Sequence, residues 1–374
     1  MSYTRGDLPG RGVRVALPDG WVEVDPGRDD DRGTVQVIAL AGWRPADGLR
    51  PTMTVTVSPA TSGHAAARVL SETQDRVPEV HVVSIDPWRV PGSTSMGRRL
   101  AFAHTEGDAT VSTLVWAVTT ASVDVIISAQ VESTDLHLHD RAFMEAVAGV
   151  HLPDEVRRAA AEPPRTADLA RSSRAARWAE VAPTVGTRTA IVANPDARIL
   201  VEASVGATSL RFDVTLARDQ ATISATPSPR EVNHPAAAAA AGGPDRRAET
   251  DTTTFRIPVS RLALAVAQWL GLGPAWTAAS QPVTVPISLV MKRLVDPTTP
   301  VPDGVDTTTW RQPWFLWTLR SSATDSGLVM VDAGTSGQCA VMETHDDHTT
   351  RFAPLSTYNV WLTLNWLVAE SLVS

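Results

Sequence analysis

Cysteine is nearly absent: Cys339 stands alone in 374 residues, so no intrachain disulfide can form and a thiolate-rich metal site is excluded. Lysine is as scarce. Lys292 is the sole example, and the remaining basic charge is arginine, a bias of high-GC bacterial genomes that carries no mechanism. No run of about 18 apolar residues occurs, and the start, MSYTRGDLPGRGVRV, lacks the apolar centre of a signal peptide. A cytoplasmic address without membrane insertion is the expectation. Net positive charge is missing as well: the formal balance is −8 and the pI about 5.6. Phosphates would be repelled by most of such a surface, so nucleic acid is not an expected partner.

Short catalytic and phosphate-binding motifs are also lacking. The glycines at Gly10 and Gly12, Gly242 and Gly243, and Gly334 and Gly337 are not followed by Gly-Lys-Ser/Thr and open no Gly-x-Gly-x-x-Gly helix, so they read as turns. Neither a Gly-x-Ser-x-Gly elbow nor a His-Glu-x-x-His helix is found. No cofactor is implied, and a non-enzymatic protein is expected.

What is present is a globular composition, 43% apolar and 20% charged, enough to bury a core. The length suggests two domains at about 100–200 residues each. In the first, VRVALPDGW (13–21), TVQVIALAGW (34–43) and PTMTVTVSP (51–59) alternate as half-buried strands. HAAARVLSETQDRV (64–77) has helical spacing between Gly63 and Pro78. Four closely spaced strands follow, with turns at Gly107-Asp108 and near Ser122, and DRAFMEAVAGV (140–150) closes the unit as a helix that Asp140 can cap. Residues 1–152 therefore read as an α+β domain, a curved antiparallel sheet with packed helices. The stretch 153–177, rich in Ala, Pro and Arg, reads as a linker, part of which can be helical.

The second domain, 178–374, contains an internal echo. FRIPVSRLALAVAQWLGLGP (255–274) and FAPLSTYNVWLTLNWLVAES (352–371) each run from phenylalanine through Pro-[Val/Leu]-Ser into an apolar helix with tryptophan. Pro258 and Pro354 would stop a strand, and Ser260 and Ser356 would cap a helix. Two strand-then-helix halves predict a pseudo-twofold α+β domain.

With those segments in view, two resemblances arise. LPDGW near the start, PTMTVTVSP in the middle and a closing helix after DVIISAQV make the first domain similar to the PsbP-like fold, including LpqN-like proteins of actinobacteria. That resemblance implies an α/β/α sandwich and a ligand- or partner-binding module without catalytic residues. The repeated strand-strand-Pro-x-Ser-helix plan and LVMVDA…ETHDDHTTRFAPLSTYNVWLTLNWL resemble the EspG-type chaperones of type VII secretion. This second resemblance implies a pseudo-twofold arrangement of sheets and helices and a protein partner.

Several clusters invite chemistry, each against a blander alternative. His345, Asp346, Asp347 and His348 could bind a divalent metal, but adjacent residues diverge in direction and a hairpin turn explains them. His137 and His139 would share one face only if extended. Cys339, in QCAVME, reads as a buried strand residue rather than a nucleophile. Tryptophan is the abundant aromatic, 12 against 2 tyrosines and 6 phenylalanines. In TTTWRQPWFLW the residues Trp310, Arg311, Trp314 and Trp317 form the candidate protein interface, aromatic and arginine together, with core packing of the rings as the alternative. The expected function is a protein-binding adaptor or chaperone of a bacterial secretion or contractile injection machinery. The alternatives are a small-ligand carrier using the first sheet and a metal-dependent hydrolase.

Overall fold

The computed structural model describes residues 5–7, 14–17, 20–29, 35–41, 48–92, 96–152, 162–173, 178, 196–233, 252–275, 281–324, 326–343 and 348–373. The chain divides into two compact units, Met1–Arg174 and Ala175–Ser374.

In the first unit a short ribbon, β1 (Arg5–Asp7) with β2 (Arg14–Ala16), precedes a seven-stranded antiparallel sheet. Its strands are β3 (Trp21–Asp29), β4 (Val35–Ala41), β5 (Thr52–Pro59), β6 (His81–Arg89), β7 (Met96–Glu106), β8 (Ala109–Thr119) and β9 (Val123–Glu132). Their spatial order is β3-β4-β5-β9-β8-β7-β6. After β5 the chain crosses to the far edge through helix α1 (Ala65–Arg76), then returns by hairpins until β9 pairs with β5. Along β5 to β9 successive side chains point to opposite faces of the sheet, and both faces are apolar. One, with Leu100, Phe102, Val115 and Ala117, is covered by Ala65, Ala66 and Leu70 of α1. The other carries Arg99, whose Nη1 meets Met144 Sδ of helix α2 (Leu136–Ala148) at 4.0 Å. With helices on both faces this is an α/β/α sandwich.

The start of α2 differs from the sequence reading, and the linker stretch is more firmly held than its composition suggests. Helix α2 begins at Leu136, after a 3₁₀ turn at Ser133–Asp135, so Asp140 lies inside the helix rather than at its start. The stretch read as a linker contains helix α3 (Thr166–Ser172), whose Leu169 joins the core beneath α1. Arg98 fastens this stretch to the sheet, donating from Nε and Nη2 to Pro164 O at 3.1 and 2.8 Å. One leucine and one carbonyl thus tie an otherwise small-residue segment to the first unit.

The second unit is built on a nine-stranded antiparallel sheet. β10 (Ala197–Val205), β11 (Thr208–Ala217), β12 (Gln220–Ala225) and β13 (Thr253–Pro258) form one meander, with helix α4 (Pro229–Asn233) between the last two and helix α5 (Leu262–Leu270) after them. β15 (Phe315–Ser321), β16 (Gly327–Asp332), β17 (Gln338–Glu343) and β18 (Thr349–Leu355) form the other, followed by helix α8 (Thr357–Val373). The order β13-β12-β11-β10-β15-β16-β17-β18-β14 joins the halves at an antiparallel β10–β15 seam. The domain is therefore pseudo-twofold, and the two echoed segments occupy equivalent places. Helices α5 and α8 pack on the same face. Trp269 of α5 meets Phe212 at 5.5 Å, and Ser371 of α8 shares a hydrogen with Ser321 at 2.7 Å.

Between the halves the chain inserts β14 (Val283–Pro286), helix α6 (Ile287–Val295) and helix α7 (Thr307–Arg311). β14 pairs with β18 at the sheet edge. The insertion breaks the symmetry, because it covers the opposite face of the second half only. The corresponding face of the first half is polar, with ion pairs Arg198–Asp213 at 3.1 Å and Arg211–Glu202 at 3.2 Å.

Candidate interaction surface

The core under the insertion comprises Val285, Val290, Val305, Trp310, Trp314, Val331, Ala333, Cys339 and Phe352. Trp314 stacks on Phe352 with ring centres 5.4 Å apart, and Trp310 stands edge-on to Trp314 at 4.8 Å. An indole can be buried when its N–H finds an acceptor, and here each one does. Trp310 Nε1 donates to Thr299 O at 3.0 Å, and Trp314 Nε1 to Thr309 O at 2.9 Å. On the other side of the sheet, Trp317 Nε1 donates to Gln338 Oε1 at 3.0 Å.

These rings correct the sequence-based interface. Trp310, Trp314 and Trp317 are 0%, 4% and 0% exposed, so they belong to the core, and only Arg311 of that group lies at the surface. The sequence cannot distinguish an indole facing solvent from one whose N–H is satisfied by a carbonyl five or eleven residues away.

What the tryptophans support is α6. The helix follows Pro286 and is anchored at its first residue, where Ile287 N donates to His348 O at 3.0 Å. Val290 and Arg293 face inward. Arg293 is 2% exposed, lies over the Trp314 ring at 4.9 Å, and donates from Nε to Trp310 O at 2.7 Å and from Nη2 to Gln312 O at 2.6 Å. Burial pulls its guanidinium below the usual arginine range, with Arg311 adding to the effect. Helix α7 is held by Asp306, whose carboxylate accepts from Thr309 N at 2.7 Å; that bond keeps Asp306 below the usual carboxylate range.

The outer side of α6 is apolar too. Ile287, Met291 and Val295 are 41%, 52% and 75% exposed, and their spacing of four residues lines them along one stripe. Six of the nine residues in ISLVMKRLV are apolar, an arc wider than the side that Val290 turns to the core. Here the outward side has no cover among the described residues. Exposed Ser288 and Lys292 flank the stripe, so a row of apolar side chains carries one cation at its border.

Metal and nucleophile candidates fare differently. His345, Asp346 and Asp347 lie outside the described residues, while His348 is exposed. His137 and His139 sit on α2, where positions two apart point to different sides, and His139 is buried, which lowers its pKa. Among the described residues no group of three His, Cys, Asp or Glu could hold a metal ion. Cys339 is buried against the tryptophan core and its thiol is pushed up to about 12 by burial and then by Asp332, which leaves it protonated at neutral pH. Among the described residues no helix is long and apolar enough to cross a membrane.

The sequence matches no protein-family model and none of the curated proteins. Solved structures match it at low identity, three of them over 41% of the chain. LpqN involved in cell envelope biogenesis of Mycobacterium tuberculosis is 16% identical, covering 41% of this chain and 91% of its own, with a TM-score of 0.30. PsbP (CyanoP) of Synechocystis sp. PCC 6803 is 13% identical over 41% and 93% of the two chains, with a TM-score of 0.30. A protein of Bacteroides thetaiotaomicron VPI-5482 is 13% identical, covering 41% of this chain, with a TM-score of 0.29, and the match spans only 50% of that protein's length. The LpqN and PsbP similarities fall in the N-terminal part of the chain.

Proposed function

We propose that this chain is a non-enzymatic protein-binding adaptor or chaperone, and that its partner docks an amphipathic helix on the outer face of α6. The observation that carries the reading is the exposed stripe of Ile287, Met291 and Val295 on a helix whose inner side is fully engaged. Eight residues of helix span about 12 Å, the length of roughly two turns of a partner helix with apolar residues four apart. Lys292 at the border favours an acidic residue beside that apolar row. A stripe of three side chains is small beside the roughly 800 Å² per partner of a stable interface. Self-association through it alone would therefore be weak, and the partner must reach beyond it. The setting we read for it is a secretion or contractile injection machinery in the cytoplasm, a reading that rests on the resemblance of the second domain's sequence to EspG-type chaperones.

The experiment compares the wild-type chain with the double variant Ile287→Asp, Met291→Asp in affinity capture from the native host, alongside light scattering of both purified chains. Both positions are exposed, so the variant should keep the wild-type circular dichroism. A specific helical protein captured by wild type and lost from the variant supports the reading. Identical captures overturn it, as does a wild-type dimer that the variant dissolves, which would make the occupant a second copy.

A further inference from the structure

We propose that His64 is an acid-sensitive latch on α1: a proton on its imidazole abolishes the helix cap and frees the first turn of α1 from the sheet of the first unit. This inference is independent of the surface on α6.

His64 is the N-cap of α1, with extended backbone at φ −88° and ψ 137°, and its Nδ1 accepts from Ala66 N at 3.2 Å. The next donor, Ala65 N, is satisfied by Thr119 Oγ1 of β8 at 2.7 Å. An accepting Nδ1 places the hydrogen of the neutral ring on Nε2. That nitrogen is buried without a hydrogen-bond partner, and so is Asp124 Oδ1 of β9. His64 is 8% exposed and Asp124 0%. The other oxygen, Asp124 Oδ2, accepts from Arg68 Nη2 at 2.8 Å. Arg68 also donates to Thr61.

Serine, asparagine and aspartate keep their accepting oxygen at neutral pH, but histidine caps only while neutral. A proton on Nδ1 turns the acceptor into a donor that faces the Ala66 N–H. It also sets a positive charge at the positive end of the α1 dipole. The charged groups bearing on the ring are Asp124 from β9, Arg98 from β7 and Arg68 from α1, while β8 presents Thr119, which does not titrate. Two cations oppose the proton and one carboxylate, already paired, favours it. Burial is the largest influence, and the ring is held below its ordinary value.

A base whose folded pKa is lowered binds more protons when released. The cap is therefore fully effective above the released value of about 6.5 and weakens as pH falls from there towards the folded value. Freeing the first turn lifts Ala65 and Ala66 from Leu100, Phe102, Val115 and Ala117, so acid uncovers apolar surface on the first unit.

Amide exchange protection of Ala66 and Ala67, measured by NMR on the whole chain between about pH 7.5 and 5.5 and corrected for intrinsic exchange, tests this. In the wild type, protection should fall by up to about tenfold per pH unit below about 6.5. In His64→Asn, whose amide oxygen caps without titrating, it should stay level, and His64→Ser provides a second neutral cap if the asparagine variant does not fold. A level wild-type profile overturns the proposal. So does an equal fall in the neutral-cap variant, which would assign the response to another group.

Discussion

Arg293 shows what one buried cation does when its partners are carbonyls. Replacing it by Met keeps most of the packing against Trp314 but leaves Trp310 O and Gln312 O without its hydrogen bonds. A buried acceptor left unpaired costs about 1–3 kcal/mol, so Arg293→Met should lower the urea midpoint of the second unit by several tenths molar or more. Arg293→Lys should recover only part of this, because an ammonium lacks the planar fork that reaches both carbonyls and lies on the ring. Cys339 makes a second prediction at this scale. With its thiol at about 12 and its side chain buried, it should ignore a thiol-reactive disulfide reagent in the native chain and react fully in denaturant. Both residues bear on what could be read in advance. Cys339 in a run of strand letters is legible as core. Arg293 is not, since nothing in the sequence says that the carbonyls of residues 310 and 312 come to meet it.

At the scale of elements, legibility followed the locality of the signal. The echoed helices could be read because proline, serine and an apolar run lie within a few residues, yet their starts diverge. Ser356 does cap α8, accepting from Asn359 N at 3.2 Å. Ser260 instead falls inside the 3₁₀ turn Val259–Arg261 that leads into α5. Ser356→Ala should therefore cost about 1 kcal/mol in the stability of the second unit, measured by thermal or urea unfolding. Helix α6 has helical spacing in Ile287, Val290, Met291, Leu294 and Val295, so the helix itself is legible; what the sequence does not tell is which part of that apolar arc the sheet covers. The buried side takes Val290 and Arg293, and Ile287, Met291 and Val295 are left on the outside. The Ala and Pro content of 153–177 suggests a linker and does not show that Leu169 and the Arg98 bonds to Pro164 O would hold its helix α3 to the first unit.

For the whole molecule, the division between Arg174 and Ala175 predicts that residues 1–174 and 175–374, expressed separately, each unfold cooperatively. An unfolded spectrum from either would contradict the division. The two units should also differ in their response to acid. His64, His104 and His139 of the first unit all have pKa values lowered, chiefly by burial. Their stabilising contributions are complete above about pH 6.5 and fade as pH falls towards the lowered values. The melting temperature of 1–174 should accordingly drop on acidification through that range, and neutral substitutions at these three positions should flatten the profile.

The seam between β10 and β15 has a consequence of its own. These are the first strands of the two meanders, and they meet antiparallel, as the same strand of two identical chains would meet across a symmetry axis. The second unit thus has the form of a homodimer whose protomers were fused head to tail and then allowed to diverge. The β14-α6-α7 insertion is the clearest mark of that divergence, and it is also where the exposed stripe lies. On this view the exposed stripe is younger than the scaffold that carries it: duplication supplied the sheet, and one half alone carries the insertion.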